Sequence, residues 1–224
     1  MVDQINYRRR LDAAAQELGI ELSDEQAQAL LGYMAQLQRW NRTYNLTALR
    51  EPDQMLVQHL FDSLSVVGPL TRILDKNTVS GPCIVDVGSG AGLPGVVLAI
   101  MQPQWQVHCV DAVEKKMAFV RQMAGVLKLP NLRAMHARVE ALPRFNADVV
   151  ISRAFASLVD FATLGGPHVA DGGYLVAMKG REPQDEIETL EQQTGWRSSQ
   201  IQTLLVPELN AQRCLVWLSR QGNP

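Results

Sequence analysis

The 224-residue sequence has no excess of positive charge and no long apolar run, and each absence excludes a class of protein. Its formal net charge is −2, whereas a protein that binds nucleic acid through bulk charge needs many clustered lysines and arginines. Any contact with nucleic acid must therefore be local. No stretch approaches the roughly 18 apolar residues that a membrane span requires, so we expect no membrane contact.

The sequence is also poor in cysteine, with Cys83, Cys109 and Cys214 far apart in apolar, β-like runs. This spacing matches neither a disulfide framework nor a zinc site, so it predicts buried free thiols and no bound metal. An odd number of cysteines without a disulfide framework is typical of a reducing compartment. The amino-terminal residues lack the apolar stretch of a signal peptide, and we expect a cytoplasmic protein.

Length and composition predict one substantial core. Hydrophobic residues make up 46% of the chain, and its length is too short for two full domains of ordinary size. We expect residues 1–81 to form a helical extension that packs on a main domain at residues 82–224. The two parts are expected to make one compact, monomeric unit.

Helical patterns fill the first eighty residues. They predict four helices, over residues 5–18, 23–40, about 52–61 and 62–70. Gly19 ends the first helix, and Ser23–Gln26 has the order of a capping box at the start of the second. Residues 41–45 are expected to break the second helix, and a polar connector ends at Gly81.

After Pro82, short β-rich runs alternate with helical segments, which is typical of a parallel sheet covered by helices on both faces. Seven strands are expected, at residues 83–87, 106–110, 132–135, 149–152, 173–178, 199–205 and 214–218. Helices are expected in the first five gaps. Only a short loop joins the last two strands, so they are predicted to form a carboxyl-terminal antiparallel hairpin.

A glycine-rich turn after the first strand is the densest chemical signal. The run from Asp86 reads Asp-Val-Gly-Ser-Gly-Ala-Gly-Leu-Pro-Gly. Glycines permit positive φ and let the backbone approach a ligand, and Pro94 suits the first turn of the helix that follows. Part of the run also fits the dinucleotide pattern Gly-x-Gly-x-x-Gly, so a nicotinamide or flavin enzyme stays open on this pattern alone.

Two carboxylates flank this turn and favour a different cofactor. Asp86 lies two positions before the first glycine, where it would repel a pyrophosphate but help to hold the cationic methionine end of S-adenosylmethionine. Asp111 closes the second strand, about 20 residues beyond the glycines, where a carboxylate can bind both hydroxyls of a ribose. The pair favours S-adenosylmethionine, and hence a methyltransferase.

The segment after the fourth strand limits which chemical groups could accept the methyl group. Enzymes that methylate exocyclic amines commonly carry Asn/Asp-Pro-Pro-aromatic there, whereas this chain reads Ser152-Arg153-Ala154-Phe155. No cysteine lies between Cys109 and Cys214, which disfavours methylation of a pyrimidine carbon through a thiol nucleophile. Guanine N7 needs no general base, so the missing catalytic acid or base is consistent with N7 chemistry by alignment alone. Another RNA, a protein or a small molecule stays open as acceptor, as does a noncatalytic module that binds the cofactor.

Five motifs spread over nearly the whole chain carry a family resemblance. They are Trp40-Asn41 with Asn45-Leu46-Thr47, His59 to Leu64, Asp86 to Gly95, Ile151 to Ala156, and Met178-Lys179-Gly180. The sequence resembles the glucose-inhibited division protein B family, bacterial methyltransferases that act at guanine N7 of small-subunit ribosomal RNA. The resemblance implies a Rossmann-like class I methyltransferase fold, S-adenosylmethionine as cofactor, and 16S ribosomal RNA or the small ribosomal subunit as partner. Departures at Ser89, Ala91 and Ala112 remove neither a charge nor a glycine.

The pattern and the resemblance together imply a cofactor site. The expected cofactor-binding residues are Asp86, Gly88, Gly90, Gly92, Leu93, Asp111, Val139, Glu140 and Arg153. Glu140 beside the Val139 amide suits the edge of an adenine, which offers one donor and one acceptor. Arg153 lies at the carboxyl end of a central strand, where open sheets bind ligands, and could assist the reaction without being an acid or base.

The expected RNA contacts are local basic residues and polar residues of the extension. They are Asn45, His59, Lys115, Lys116, Arg121 and Lys179. The three basic residues at 115–121 follow Asp111, near the ligand edge of the sheet. The extension is expected to fold over the pocket and help to position the RNA. Other basic clusters, at Arg8–Arg10 and at Arg39 with Arg42, are more often solvated helix faces.

Overall fold

The computed structural model describes residues 2–74, 81–153, 155 and 157–222. Most of the predicted polar connector, together with Ala154 and Ala156 of the fourth motif, lies outside the described residues. The helices of the amino-terminal part are α1 (Val2–Glu17), α2 (Asp24–Tyr44), α3 (Pro52–Met55), a π-helical turn (Leu56–Phe61), α4 (Asp62–Leu64) and α5 (Val67–Leu74). We refer to these helices together as the helical extension.

The predicted capping box starts α2, but the predicted break near its end is wrong. Ser23 Oγ accepts a hydrogen bond from the Gln26 amide, and the Gln26 side chain accepts one from the Ser23 amide. The helix then continues through Asn41 and ends at Asn45, whose left-handed backbone caps it. Asparagine usually competes with helical hydrogen bonds, but the Asn41 side chain instead binds the backbone of the loop at 47–49.

The segment from residue 52 to residue 64 is continuously helical, so the expected boundary between two helices at 61–62 is wrong. A π-helical turn joins α3 to α4, and the last helix of the extension runs from Val67 to Leu74. Wide turns of this kind occur frequently at functional sites. His59 lies within this one.

Seven strands form one sheet, as the sequence predicts. They are β1 (Cys83–Val87), β2 (Gln106–Asp111), β3 (Leu132–His136), β4 (Ala147–Ser152), β5 (Val169–Lys179), β6 (Trp196–Thr203) and β7 (Cys214–Arg220). Their order across the sheet is β3-β2-β1-β4-β5-β7-β6. The first five strands are parallel, and β7 runs antiparallel to both β5 and β6, so the predicted carboxyl-terminal hairpin is confirmed.

Four of the five gaps expected to hold helices do so. They contain α6 (Gly95–Met101), α7 (Glu114–Val126), α8 (Leu158–Gly165) and α9 (Gln184–Gln193). The third gap holds only a 3₁₀ turn at Val139–Ala141, so the expectation of a full helix there is wrong. Pro143 lies within this ten-residue gap, and a proline disfavours helical backbone in the residue before it.

One large apolar cluster joins the helical extension to the sheet. Leu30 and Leu60 of the extension, Val97 of α6 and Phe119 of α7 are fully buried in this cluster with Ile84 of β1. A second cluster on the opposite face of the sheet contains side chains of α8 and α9. The extension therefore covers the same face as α6 and α7, and its residues reach the carboxyl end of β1.

Candidate cofactor and substrate site

The glycine loop, residues 88–95, lies where a parallel sheet is expected to bind a ligand. It follows β1, whose neighbours are β2 on one side and β4 on the other, so the strand order reverses beside it. Open parallel sheets bind ligands in the crevice at the carboxyl ends of the strands next to such a reversal. Two of the predicted cofactor residues, Gly90 and Asp111, are in contact there.

The glycines of the loop serve two different purposes. Gly88 and Gly90 have φ of +68° and +61°, and a Cβ added at either would meet no described atom within 4 Å. A Cβ at Gly92 would instead press on Val96, and one at Gly95 would strike Cys109. Gly88 and Gly90 thus leave an open surface for a ligand, whereas the other two let the loop pack against the core.

Asp86 lies beneath the loop and not on its surface. Its side chain is fully buried, and Oδ2 accepts a hydrogen bond of 2.8 Å from the Gly95 amide at the start of α6. Oδ1 is buried and has no hydrogen-bond partner among the described residues. Burial raises the pKa of this carboxyl to about 7, against the lowering effects of the Gly95 amide and Arg153. Any help that it gives to a cationic ligand acts from below the loop.

Asp111 is bound to the loop from the side. Its Oδ2 accepts a hydrogen bond of 2.9 Å from the Gly90 amide, and Oδ1 accepts one of 2.9 Å from the Val113 amide. Lys116 Nζ lies 3.8 Å from Oδ2. The carboxylate therefore lies beside the open surface of Gly90, where a ribose would meet it, and its predicted role as ribose ligand stays a prediction.

Tyr33 of α2 also contacts the loop, and sequence reasoning missed it. Its hydroxyl donates a hydrogen bond of 2.9 Å to the carbonyl of Ala91, and the side chain is fully buried. The ring packs 5.8 Å from the ring of Phe119 on α7. At helical spacing in an amphipathic helix, this tyrosine reads as an ordinary core aromatic, so no signal in the sequence could have found its partner.

The remaining predicted cofactor residues differ in how far their side chains are exposed to a ligand. Val139 and Glu140 form the 3₁₀ turn after β3, with Val139 buried and Glu140 exposed 3.8 Å from Arg138. This turn lies at the carboxyl edge of the sheet, where Ala137 donates to the carbonyl of Asp111. The Leu93 side chain is buried in the core, so only its backbone is placed to meet a ligand.

Arg153 connects the end of β4 to the helical extension. Its Nη1 donates hydrogen bonds to the Gln58 carbonyl at 3.0 Å and to Asp62 Oδ2 at 3.3 Å. Arg213, just before β7, donates to the other oxygen of Asp62 at 3.0 Å. A nearly buried carboxylate thus links two guanidinium groups from different parts of the sheet. The partners Asp62 and Arg213 were not among the predicted site residues.

His59 lies beside this group of charges and is held as a neutral ring. Its Nε2 is 2.9 Å from Thr47 Oγ1, and its Nδ1 is 3.1 Å from the Gln58 carbonyl. Burial, aided by the nearby charge of Arg153, lowers the pKa of His59 to about 4. The ring therefore carries no charge at neutral pH, and it leaves little surface for direct contact with RNA.

A cleft of about 390 Å³ opens between the extension and the carboxyl edge of the sheet, and we name it the interface cleft. Its lining consists of Leu49, Gln58, His59, Asp62, Arg153, Met178, Lys179, Gly180 and Arg213. The structure thus brings three predicted site residues together: His59, Arg153 and Lys179. They share this cleft although they come from three different motifs.

Most of the basic residues expected to contact RNA are paired with carboxylates. Lys116 lies near Asp111, Arg121 pairs with Glu114, and Lys179 Nζ lies 3.0 and 2.8 Å from the two oxygens of Glu186. Lys115 is exposed. Asn45 caps α2 and accepts a hydrogen bond of 3.2 Å from Arg50. These residues remain predicted RNA contacts, but the pairing leaves less positive charge near them than the sequence suggests.

The described residues contain no group of three or more histidines, cysteines, aspartates or glutamates that could hold a metal ion. The described helices include none long and apolar enough to cross a membrane.

Comparisons with known proteins agree with this geometry. A family model described as rRNA small subunit methyltransferase G matches residues 26–216. A ribosomal RNA small subunit methyltransferase G from Bordetella petrii is 65% identical over 94% of this chain and 82% of its own length. The protein of that name from Bordetella avium is 60% identical over 98% and 96%. A solved SAM dependent methyltransferase from Aquifex aeolicus, 16% identical, covers 78% of this chain and 96% of its own with a TM-score of 0.55, which confirms the expected fold. The chain belongs to the rRNA small subunit methyltransferase G family.

Proposed function

We propose that the protein transfers a methyl group from S-adenosylmethionine to N7 of a guanosine in 16S ribosomal RNA. The observation that carries the proposal is the open surface of Gly88 and Gly90, which lies where the strand order of the sheet reverses. The chain that carries this surface matches the model of the rRNA small subunit methyltransferase G family. The relatives at 65% and 60% identity bear the name of a ribosomal RNA small subunit methyltransferase, which supports the substrate class.

The residues around the glycine loop fit S-adenosylmethionine, which supplies an electrophilic methyl group when bound. Because Gly88 and Gly90 have no side chains, the cofactor has space to lie against the backbone of the loop. Asp111 lies beside Gly90, within reach of the ribose of the cofactor. The buried Asp86 carboxyl favours a positive group above the loop, because its second oxygen has no partner among the described residues. Glu140 is exposed at the same edge and is our candidate for the adenine.

The interface cleft fits an acceptor that needs no general base. Asp62 is the one carboxylate among its described lining residues, and both of its oxygens already accept hydrogen bonds from arginines. A carboxylate held in this way is poorly suited to take a proton from an exocyclic amine. The neutral His59 ring in the same lining is also a weak base, because its pKa is lowered to about 4. Guanine N7 has a free lone pair and no proton to lose. Alignment of the reactants, which can supply roughly 7–11 kcal/mol of a barrier, is then the main task of the cleft residues.

We also propose an oligomeric state, a location and a substrate particle for the protein. We expect it to act as a monomer in the cytoplasm, on the small ribosomal subunit or its RNA. Its net charge of −2 supports recognition of a shaped RNA surface over binding along a bare strand, since the protein lacks bulk positive charge.

A methyl-transfer assay tests the proposal. The purified protein is incubated with labelled S-adenosylmethionine and either undermodified small subunits, bare 16S RNA or fully modified small subunits. We expect label in the RNA of undermodified subunits and almost none in subunits that already carry the modification. Equal labelling of both kinds of subunit, or label only in protein, would contradict the proposed acceptor.

A further inference from the structure

Two arginines without a carboxylate partner among the described residues lie together beside the interface cleft. Arg42, in the last turn of α2, and Arg50, in the loop that follows, line one groove of about 190 Å³. The rest of the lining is Gln38, Asn41, Pro52 and Met55. No acidic residue occurs among these described lining residues. We name this feature the arginine groove.

The charges of these two arginines are not neutralised by the described part of the chain. Arg50 donates only to the neutral Asn45 side chain, and Arg42 has no ion-pair or hydrogen-bond partner there. The arginines at 8, 10, 121, 153 and 213 pair with carboxylates, whereas other exposed arginines such as Arg144 have no such partner in the described part of the chain. Arg42 and Arg50 differ from Arg144 because they line one groove together. An arginine near a helix carboxyl end can favour the helix dipole, which accounts for Arg42 but not for Arg50, because Arg50 lies outside the helix.

The arginine groove adjoins the interface cleft through the backbone. Leu49 lines the cleft and Arg50, the next residue, lines the groove. Asn41 fixes this shared wall, since its side chain donates to the Leu49 carbonyl at 2.9 Å and accepts from the Thr47 amide at 2.9 Å. A strand that leaves the cleft past Leu49 therefore meets both guanidinium groups on a wall that is held in place.

We propose that the arginine groove binds the phosphate backbone of the substrate RNA next to the nucleotide held in the interface cleft. Guanidinium groups match phosphate oxygens in a bidentate geometry, and the amide of Gln38 in the same lining can supply a further donor. The inference rests on the proposed function, because it needs RNA in the cleft. It also places the local positive charge that a protein of net charge −2 requires.

The test compares the double variant R42A/R50A with R144A. Arg144 is exposed and precedes β4, at the amino edge of the sheet opposite the site. We expect R42A/R50A to raise the KM for undermodified small subunits about tenfold at 0.1 M salt, and to lower the slope of log affinity against log salt by about 1.4 for two contacts to single-stranded RNA. R144A should change neither quantity, and R42K/R50K should recover most of the salt slope.

Calorimetric titration of S-adenosylmethionine shows whether the variants remain folded, and its affinity should be the same in all of them. If R42A/R50A matches R144A while wild type methylates the subunits, the arginine groove does not bind RNA and the proposed function stands. A higher KM with an unchanged salt slope would likewise contradict phosphate binding. Failure of wild type to methylate the subunits would overturn both proposals.

Discussion

The glycines of the loop have different roles, and a substitution at Gly88 tests whether its open surface binds the cofactor. Gly88→Val should reduce S-adenosylmethionine affinity at least tenfold, because the new side chain fills the space left for the ligand. Backbone strain is a competing cause, since Gly88 has a positive φ. Gly172 has φ of +79° and equally open space, but it lies toward the amino end of β5, away from the site. Gly172→Val controls for strain, and equal calorimetric affinities in the two variants would contradict the assignment.

Tyr33 should act on cofactor binding from the helical extension. Tyr33→Phe removes one hydroxyl and leaves the Ala91 carbonyl buried without its donor, at a cost of about 1–3 kcal/mol shared between stability and the loop's geometry. We expect the KM for S-adenosylmethionine to rise about threefold to tenfold with little change in kcat at saturation. Tyr44 is 46% exposed in the same helix, and Tyr44→Phe is the matched control. Loss of stability with an unchanged KM would show that Tyr33 only stabilises the core and does not act on cofactor binding.

Asp86 should make stability and cofactor binding respond in opposite directions to pH. Burial raises its folded-state pKa to about 7, above its ordinary value near 4. The folded state therefore binds the extra proton, and this stabilisation is present below about pH 4 and lost as pH rises through about 7.

Asp86→Asn carries no charge, so its stability relative to wild type should improve by about 2–4 kcal/mol between pH 4 and pH 8. Over the same range its affinity for S-adenosylmethionine should fall further below that of wild type, because wild type gains the negative charge of Asp86 as the pH rises and the variant does not. Urea unfolding across this pH range measures the first effect, with the exposed Asp171→Asn as control. Parallel unfolding curves for Asp86→Asn and wild type at every pH would refute the account.

At the scale of elements, Asp62 forms an ionic connection between the helical extension and the sheet. It lies at the start of α4 and binds Arg153 after β4 and Arg213 before β7. Asp62→Asn removes the charge that both guanidinium groups share. Because the two arginines remain about a quarter exposed, water screens part of the loss, and we expect destabilisation of about 1–3 kcal/mol.

The matched control is Asp53→Asn, which breaks the ion pair of an exposed carboxylate with Arg10 in the same extension. Exposed pairs contribute about 0–1 kcal/mol, so this variant should unfold at nearly the wild-type urea concentration. Methylation by Asp62→Asn should also fall, since Arg153 loses its ion pair and keeps hydrogen bonds to neutral groups of the extension, such as the Gln58 carbonyl. An equal, small effect of the two substitutions would show that the ion pairs of Asp62 contribute little to holding the extension on the sheet.

Elements whose signals are local could be predicted from the sequence. All seven strands follow from short β-rich runs that alternate with helical segments, and the capping box at Ser23 placed the start of α2. The errors arise where a tertiary contact or a single residue overrides the pattern. Asn41 stays helical because its side chain binds a loop six to eight residues away, and Pro143 leaves the third gap with one 3₁₀ turn.

Some residues of the site could likewise be predicted from the sequence, and others could not. The glycine loop and Asp111 were predicted because their spacing along the chain reflects their contact, with Asp111 bound to Gly90. Tyr33 was not, because 58 residues separate it from Ala91, and Arg213 was not, because 151 residues separate it from Asp62. Neither pairing leaves a mark in a single sequence, since each partner alone reads as core or surface.

At the scale of the whole molecule, the cofactor crevice and the interface cleft come from different parts of the chain and meet at the carboxyl edge of the sheet. The extension supplies Tyr33 to the glycine loop, and His59 and Asp62 to the cleft. Cofactor binding and acceptor binding should therefore both depend on the extension, although the loop itself lies in the sheet domain.

The most direct test of this account identifies the methylated nucleoside. Small subunits that lack the modification are labelled by the protein with methyl-labelled S-adenosylmethionine, and their 16S RNA is digested and separated into nucleosides. The account predicts that the label elutes as 7-methylguanosine, at close to one methyl group per subunit. Label in any other methylated nucleoside would contradict it. Label in N2-methylguanosine would also contradict the account of the interface cleft, because an exocyclic amine must lose a proton and the carboxylate of the cleft, Asp62, is already bound by two arginines.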